Sequence, residues 1–201
     1  MLPVNSILMS KYNTNCPIYI KQVPSTTNGV FWVSFENHPQ LKKTRANIYG
    51  RCLPCITNLF EQLKTGSTTV DLGNAYHCWK ITTVLDSLDT CFELLEKVSA
   101  HPFDGCLIGK LGNGRPAANT RVVVFHTQDE EQRERIRQIV GLCLSDMKIN
   151  TKPVISRACE VLYAPLFGDW RKWQPTSPIL YPQRIEKHIA YLKKVLYQSA
   201  L

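Results

Sequence analysis

The chain has 201 residues, 44% of them hydrophobic and 20% charged, with a formal net charge of +8. That length and balance predict one domain, 1–201, with a real core, and no apolar run approaches the ~18–20 residues a membrane span needs. The positive excess favours an anionic partner (RNA, or a phosphorylated or acidic peptide or protein) and argues against a membrane-embedded one.

Met1–Ser10 carries no cationic segment ahead of a long apolar one, so no secretory signal is expected. With eight cysteines, this predicts reduced thiols and a cytoplasmic location. Met1–Thr27 is rich in turn formers around a short strand, Ile18–Val23. Gly29–Glu36 (GVFWVSFE) is almost continuously apolar and reads as a strand covered on both faces. Leu41–Gly50 places Lys42, Lys43 and Arg45 beside Tyr49, as a solvated basic loop or part of an anion-binding rim. Arg51–Lys64 reads as a helix, because Ile56, Leu59, Phe60 and Leu63 recur at helical spacing. Pro54 fits its first turn, where the missing N–H has no intrahelical partner to lose. Cys52 and Cys55 form a C-x-x-C at that helix start. The helix dipole could lower a thiol pKa there, and His77 with Cys78 could complete a zinc set. No second C-x-x-C accompanies them, so the expectation is structural cysteines, with no metal and no cofactor. Thr65–Ala75 reads as a loop and an internal boundary.

The central stretch runs from Trp79 to Thr127. Trp79–Thr83 is a strand. In Ser87–Ser99, Leu88, Cys91, Phe92, Leu95 and Val98 share one helical face, and His101-Pro102 ends the helix. Gly105–Leu111 and Thr120–His126 read as the arms of a hairpin, joined through Gly112-Asn113-Gly114-Arg115-Pro116. Lys80, Lys110 and Arg121 lie on three strand segments able to pair side by side, so one sheet face could collect three positive charges. Gln128–Met147 is a second helix with Ile136, Ile139, Val140, Cys143 and Leu144 inward and acids in its first turns. Lys152–Ala158 looks extended, and Cys159–Pro165 reads as a further strand. Leu166–Gln174 (LFGDWRKWQ) interleaves Trp170 and Trp173 with Arg171 and Lys172. It reads either as a lid over the sheet edge or as a loop that holds a base, ring or peptide. Pro175–Pro182 is a connector, and Arg184–Gln198 closes the chain as a helix with Ile185, Ile189, Leu192 and Leu196 inward. The order predicts an α+β fold, a mainly antiparallel twisted sheet backed by a single layer of helices on one face.

The run CWKITTVLDSLDTCFELLEKV…DGCLIGKL resembles the phosphothreonine/phosphoserine lyase fold of secreted effectors and of lanthipeptide synthetase lyase domains. There a W-K-[IL]-H-V-S strand is followed by a helix and a strand ending F-K. KPVISRACEVLYAPLFGDWR is similar to the later P-x-[IL]-S-D…Y-G segment of the synthetase lyases. The resemblance covers Tyr76–Trp173. It divides the chain into N-terminal strands and a helix (1–75), a lyase-like core (76–173) and a C-terminal helix (183–198). It implies a carbon–oxygen lyase that eliminates phosphate from phospho-Ser/Thr, with a lysine as base, a histidine as acid and further cations on the phosphate. Carried over, Lys110 is the base, and Lys80 and Arg121 bind phosphate; apart from that resemblance, Arg157 and Arg171 are further candidate anion-binding residues. Trp79, Trp170 and Trp173 are aromatic contacts. Thr82 stands where the motif has its histidine, and threonine cannot deliver a proton near pH 7 as imidazole can. Elimination is therefore expected to be impaired unless His126, at the end of the following strand, takes the role. The order also resembles the cap-binding initiation-factor-like fold. This implies an alternative: a non-enzymatic RNA- or nucleotide-binding protein using the basic sheet face and the GDWRKW loop.

Overall fold

In β4 (Trp79–Leu85), burial alternates: Trp79, Ile81, Thr83 and Leu85 are buried, while Lys80, Thr82 and Val84 are not. This two-residue period sets the inner and outer faces of the whole main sheet, because directly opposite residues in paired strands share a face. The computed structural model describes residues 19–23, 32–36, 53–102, 107–113 and 121–198. The basic segment Leu41–Gly50, Cys52 and the turn residues Gly114, Arg115 and Pro116 lie outside them. β1 (Tyr19–Val23), β2 (Trp32–Glu36), β5 (Ile108–Gly112), β6 (Arg121–Thr127) and β7 (Val154–Arg157) join β4 in an antiparallel six-stranded sheet, ordered β1-β2-β5-β6-β4-β7. The fold is α+β, as the element order predicts.

Helices α3 (Leu88–Ala100) and α4 (Glu130–Asp146) back the inner face. Ser87 caps α3 by accepting from the Thr90 amide at 3.0 Å. Asp129 caps α4 by accepting from the Gln132 amide at 2.7 Å, while the Gln132 side chain accepts from the Gln128 amide at 2.8 Å. Between the helices and the sheet lie Phe35, Ile81, Leu95, Leu111, Phe125 and Val140, all essentially without exposure. Gly109 sits in register between Phe35 and Phe125, and its missing side chain lets the two rings meet edge to face at 5.4 Å. A Cβ there would run into the Val124 carbonyl and the Phe35 ring.

A second core draws no residue from this sheet. It gathers α1 (Leu53–Lys64), α2 (Asn74–His77), α5 (Glu160–Phe167) and α6 (Ile185–Gln198) with the small sheet of β3 (Thr69–Asp71) and β8 (Thr176–Pro178). Three expectations change here. Thr65–Ala75 is not all loop but contains β3 and the start of α2, and the Pro175–Pro182 connector contains β8. These strands of three residues depend on pairing with each other and on Val70 packing into the second core, which no local pattern reveals. Cys159–Pro165 is not a strand. Leu162, Tyr163, Leu166 and Phe167 form one buried helical face that continues past Pro165, and the Tyr163 hydroxyl donates to the Cys55 carbonyl on α1 at 2.9 Å.

Candidate functional site

The outer face of the sheet is where Lys80 and Lys110 meet. Register places Ile108, His126, Lys80 and Ser156 in one row across β5, β6, β4 and β7. Ser34, Lys110, Val124, Thr82 and Val154 form the next row. His126 is therefore directly opposite Lys80 and diagonal to Lys110, on the strand between them. It is also diagonal to Thr82, the position where the lyase motif has its histidine. An imidazole on β6 starts one strand closer to Lys110 than a residue at 82 would.

Around Lys110 this face is withdrawn from water, with Ser34 1% and Val124 6% exposed, while Val84 and Val154 toward the β4–β7 side are open to solvent. The Lys110 ammonium lies over the Trp32 ring, 4.5 Å from its centroid. Burial, and secondarily the Lys80 charge, push the Lys110 amine down to about 8. Lys80 is held by Glu160, whose carboxylate is 3.8 Å away at the start of α5. Pairing of the Ala158 amide with the Cys78 carbonyl carries the chain from β7 into that helix beside β4. Sequence reasoning missed Glu160 because it fell inside a segment read as a strand.

The other expected site residues do not join this face. Arg121 is opposite Leu85 and so shares the inner, helix-backed face, and its charge acts on Cys91 of α3. The reading of three cations on one face therefore reduces to two. The reason is parity: Arg121 is an odd number of residues from His126, so the pleat turns it the other way. Burial pushes the Cys91 thiol up to about 12, consistent with a core cysteine. Arg157 pairs with Trp79, again on the inner face. Trp173 is buried in the second core against Tyr163 and Phe167, with its indole N–H donating to the Gly168 carbonyl at 3.3 Å. It cannot serve as a ligand contact there. Arg171 bonds Asp169 at 3.1 Å in a short 3-10 turn, Trp170–Lys172, and its guanidinium covers the Trp170 ring. The GDWRKW segment is thus anchored in the second core through Trp173 and leaves Arg171 exposed.

Around Trp79 a second constellation appears. The Arg157 guanidinium carbon is 3.5 Å from the Trp79 ring centroid and 4.3 Å from that of Tyr76. Arg133, from α4, lies 4.3 Å from the Trp79 ring, which also meets Trp170 edge to face at 5.6 Å. Burial lowers the Arg157 pKa and Arg133 adds to this, while Tyr76 and Glu130 oppose it. Arg133 itself pairs with Glu130 at 3.6 Å. Tyr76, Arg133 and Thr127 carried no motif to single them out, and only packing assembles them.

No group of three or more His, Cys, Asp or Glu side chains among the described residues is arranged to hold a metal. No helix among them is long and apolar enough to cross a membrane. Comparison with protein-family models, with curated proteins and with solved structures finds no match to this chain.

Proposed function

We propose that the chain is a lyase-like domain that binds phosphorylated Ser/Thr peptide on the outer sheet face and eliminates the phosphate. The observation that carries this reading is Lys110, an amine pushed down to about 8 beside a second cation. At pH 7 about a tenth of such an amine is neutral, several hundred times the neutral fraction of an ordinary lysine. It is therefore available as a base where a phosphate dianion is attracted by Lys80. Lys110 takes the α-proton, and the C–H electron pair becomes the Cα=Cβ double bond. The Cβ–O bond breaks, and the departing phosphate takes a proton from His126. Glu160 pairs with Lys80 from the β7 side of the sheet.

The test is incubation of the purified protein with phosphothreonine and phosphoserine peptides, followed by mass spectrometry. The expected result is a loss of about 98 Da, the mass of phosphoric acid. Lys110→Arg, which keeps the charge but cannot act as a base near neutral pH, binds the peptide and releases no phosphate. Absence of the loss in the wild type, with salt-dependent retention of RNA oligonucleotides, would replace the lyase with the RNA-binding alternative.

A further inference from the structure

On the inner face, at the end of the sheet, Thr127, Trp79 and Arg157 stand side by side in one register row across β6, β4 and β7. They are 3%, 4% and 5% exposed. Each carries polar side-chain atoms with no hydrogen-bond partner among the described residues: Thr127 Oγ1, Trp79 Nε1, and Arg157 Nε and Nη1. Arg133 Nε, reaching the same Trp79 ring from α4, is a fifth such atom. Leaving one buried polar group unsatisfied costs about 1–3 kcal/mol, and charged groups cost more. Five of them around one indole call for a shared partner. Contact with the Trp79 and Tyr76 rings takes up the face of the Arg157 guanidinium, and a hydrogen bond with the Tyr76 side chain engages part of its edge, but Nε and Nη1 are left to be satisfied.

The chemistry of the set selects the partner. Guanidinium and indole nitrogens only donate, and the threonine hydroxyl can donate as well. The complement of a donor-only set carrying two positive charges is an anion with several acceptor oxygens. Glu130, two-thirds exposed beside Arg133, neutralises part of the charge from the rim without entering the row. Tyr76, Arg133 and Trp170, all partly exposed, border the buried row on its solvent side. We propose that Thr127, Trp79, Arg157 and Arg133 form a second oxyanion site, separate from Lys110, that takes inorganic phosphate or the phosphate group of a monoester. This site lies on the opposite face of the sheet from Lys110 and does not depend on catalysis there.

The experiment is a titration with inorganic phosphate at constant ionic strength, read by tryptophan fluorescence and by the thermal unfolding midpoint. The wild type and Lys110→Ala should both retain a saturable response, because Lys110 belongs to the other face. Arg133→Gln, at a partly exposed helix position that tolerates the change, should weaken binding about tenfold or more. Arg157→Lys should weaken it further while keeping the charge, since an ammonium cannot reproduce the fork of a guanidinium. Competition by phosphothreonine would assign the site to the head of a larger ligand, and indifference to it would assign the site to the free ion. Either result upholds the site. It is overturned if the wild type gives no saturable response. It is equally overturned if binding is lost in Lys110→Ala but untouched in Arg133→Gln.

Discussion

The two faces of the six-stranded sheet hold cations of different kinds. Outside, Lys110 and Lys80 flank His126; inside, Arg157 and Arg133 flank Trp79. Both groups are partly desolvated beside like charge, and burial lowers the pKa of both Lys110 and Arg157. The consequences differ because the side chains differ. An amine brought to about 8 can lose its proton and act as a base. A guanidinium starts so high that the same environment leaves it charged, and stabilisation must come from a counter-anion instead. One face is therefore suited to moving protons and the other to holding an anion.

The largest effect that would break this comparison is on the outer face. Lys110→Arg should lower elimination by about a thousandfold or more while peptide binding persists, measured by phosphate release and by titration. The base-limited arm of the wild-type pH–rate profile should rise as Lys110 deprotonates, and equal activity in Lys110→Arg would remove the proton-transfer role. Next comes the core that separates the faces. Gly109→Ala should cost about 3 kcal/mol in urea unfolding, because its Cβ meets the Val124 carbonyl and the Phe35 ring.

Lys110→Met sharpens the comparison through its pH dependence. The folded-state pKa of Lys110 lies below its unfolded value, so between about 8 and 10.5 the unfolded chain holds the proton that the folded chain has released. Stability of the wild type therefore rises through that window, and the penalty of a buried ammonium is complete below pH 8. The substitution should stabilise the protein by about 2 kcal/mol at pH 7, with the gain fading toward pH 10.5. A constant difference across that range would mean that Lys110 is not charged at a cost. The smallest effect concerns the helix that delivers Arg133. Asp129→Ala removes the α4 cap and should cost about 1 kcal/mol, with phosphate affinity at the inner row reduced more than peptide affinity outside.

Much of this architecture was legible in local pattern. The helical spacing of Leu88, Cys91, Phe92, Leu95 and Val98 corresponds to α3. The acids ahead of Ile136 correspond to the first turns of α4, and the branched runs correspond to β5 and β6. The chain folds back on itself at Leu63–Ala75 and Cys159–Pro178 in ways local pattern does not carry. β3 and β8 are too short to form alone, and the helical face of α5 runs across a proline that reads as a stop. The site residues divide in the same way. Lys80 and Lys110 were picked out by motif and share a face. Arg121 and Arg157 were picked out with them and lie on the other.

The sequence by itself determined which segments are helices or strands wherever an apolar period ran for ten residues or alternated over a full strand, because that period dictates which side must leave water. It also determined the excess of cations. Only the tertiary structure decided which cations meet. Facing depends on the register between strands distant in the chain, and a shift of one residue exchanges the two faces. Burial, which brings the Lys110 amine to about 8 and gathers five unsatisfied polar atoms around Trp79, exists only once those strands and α4 have packed.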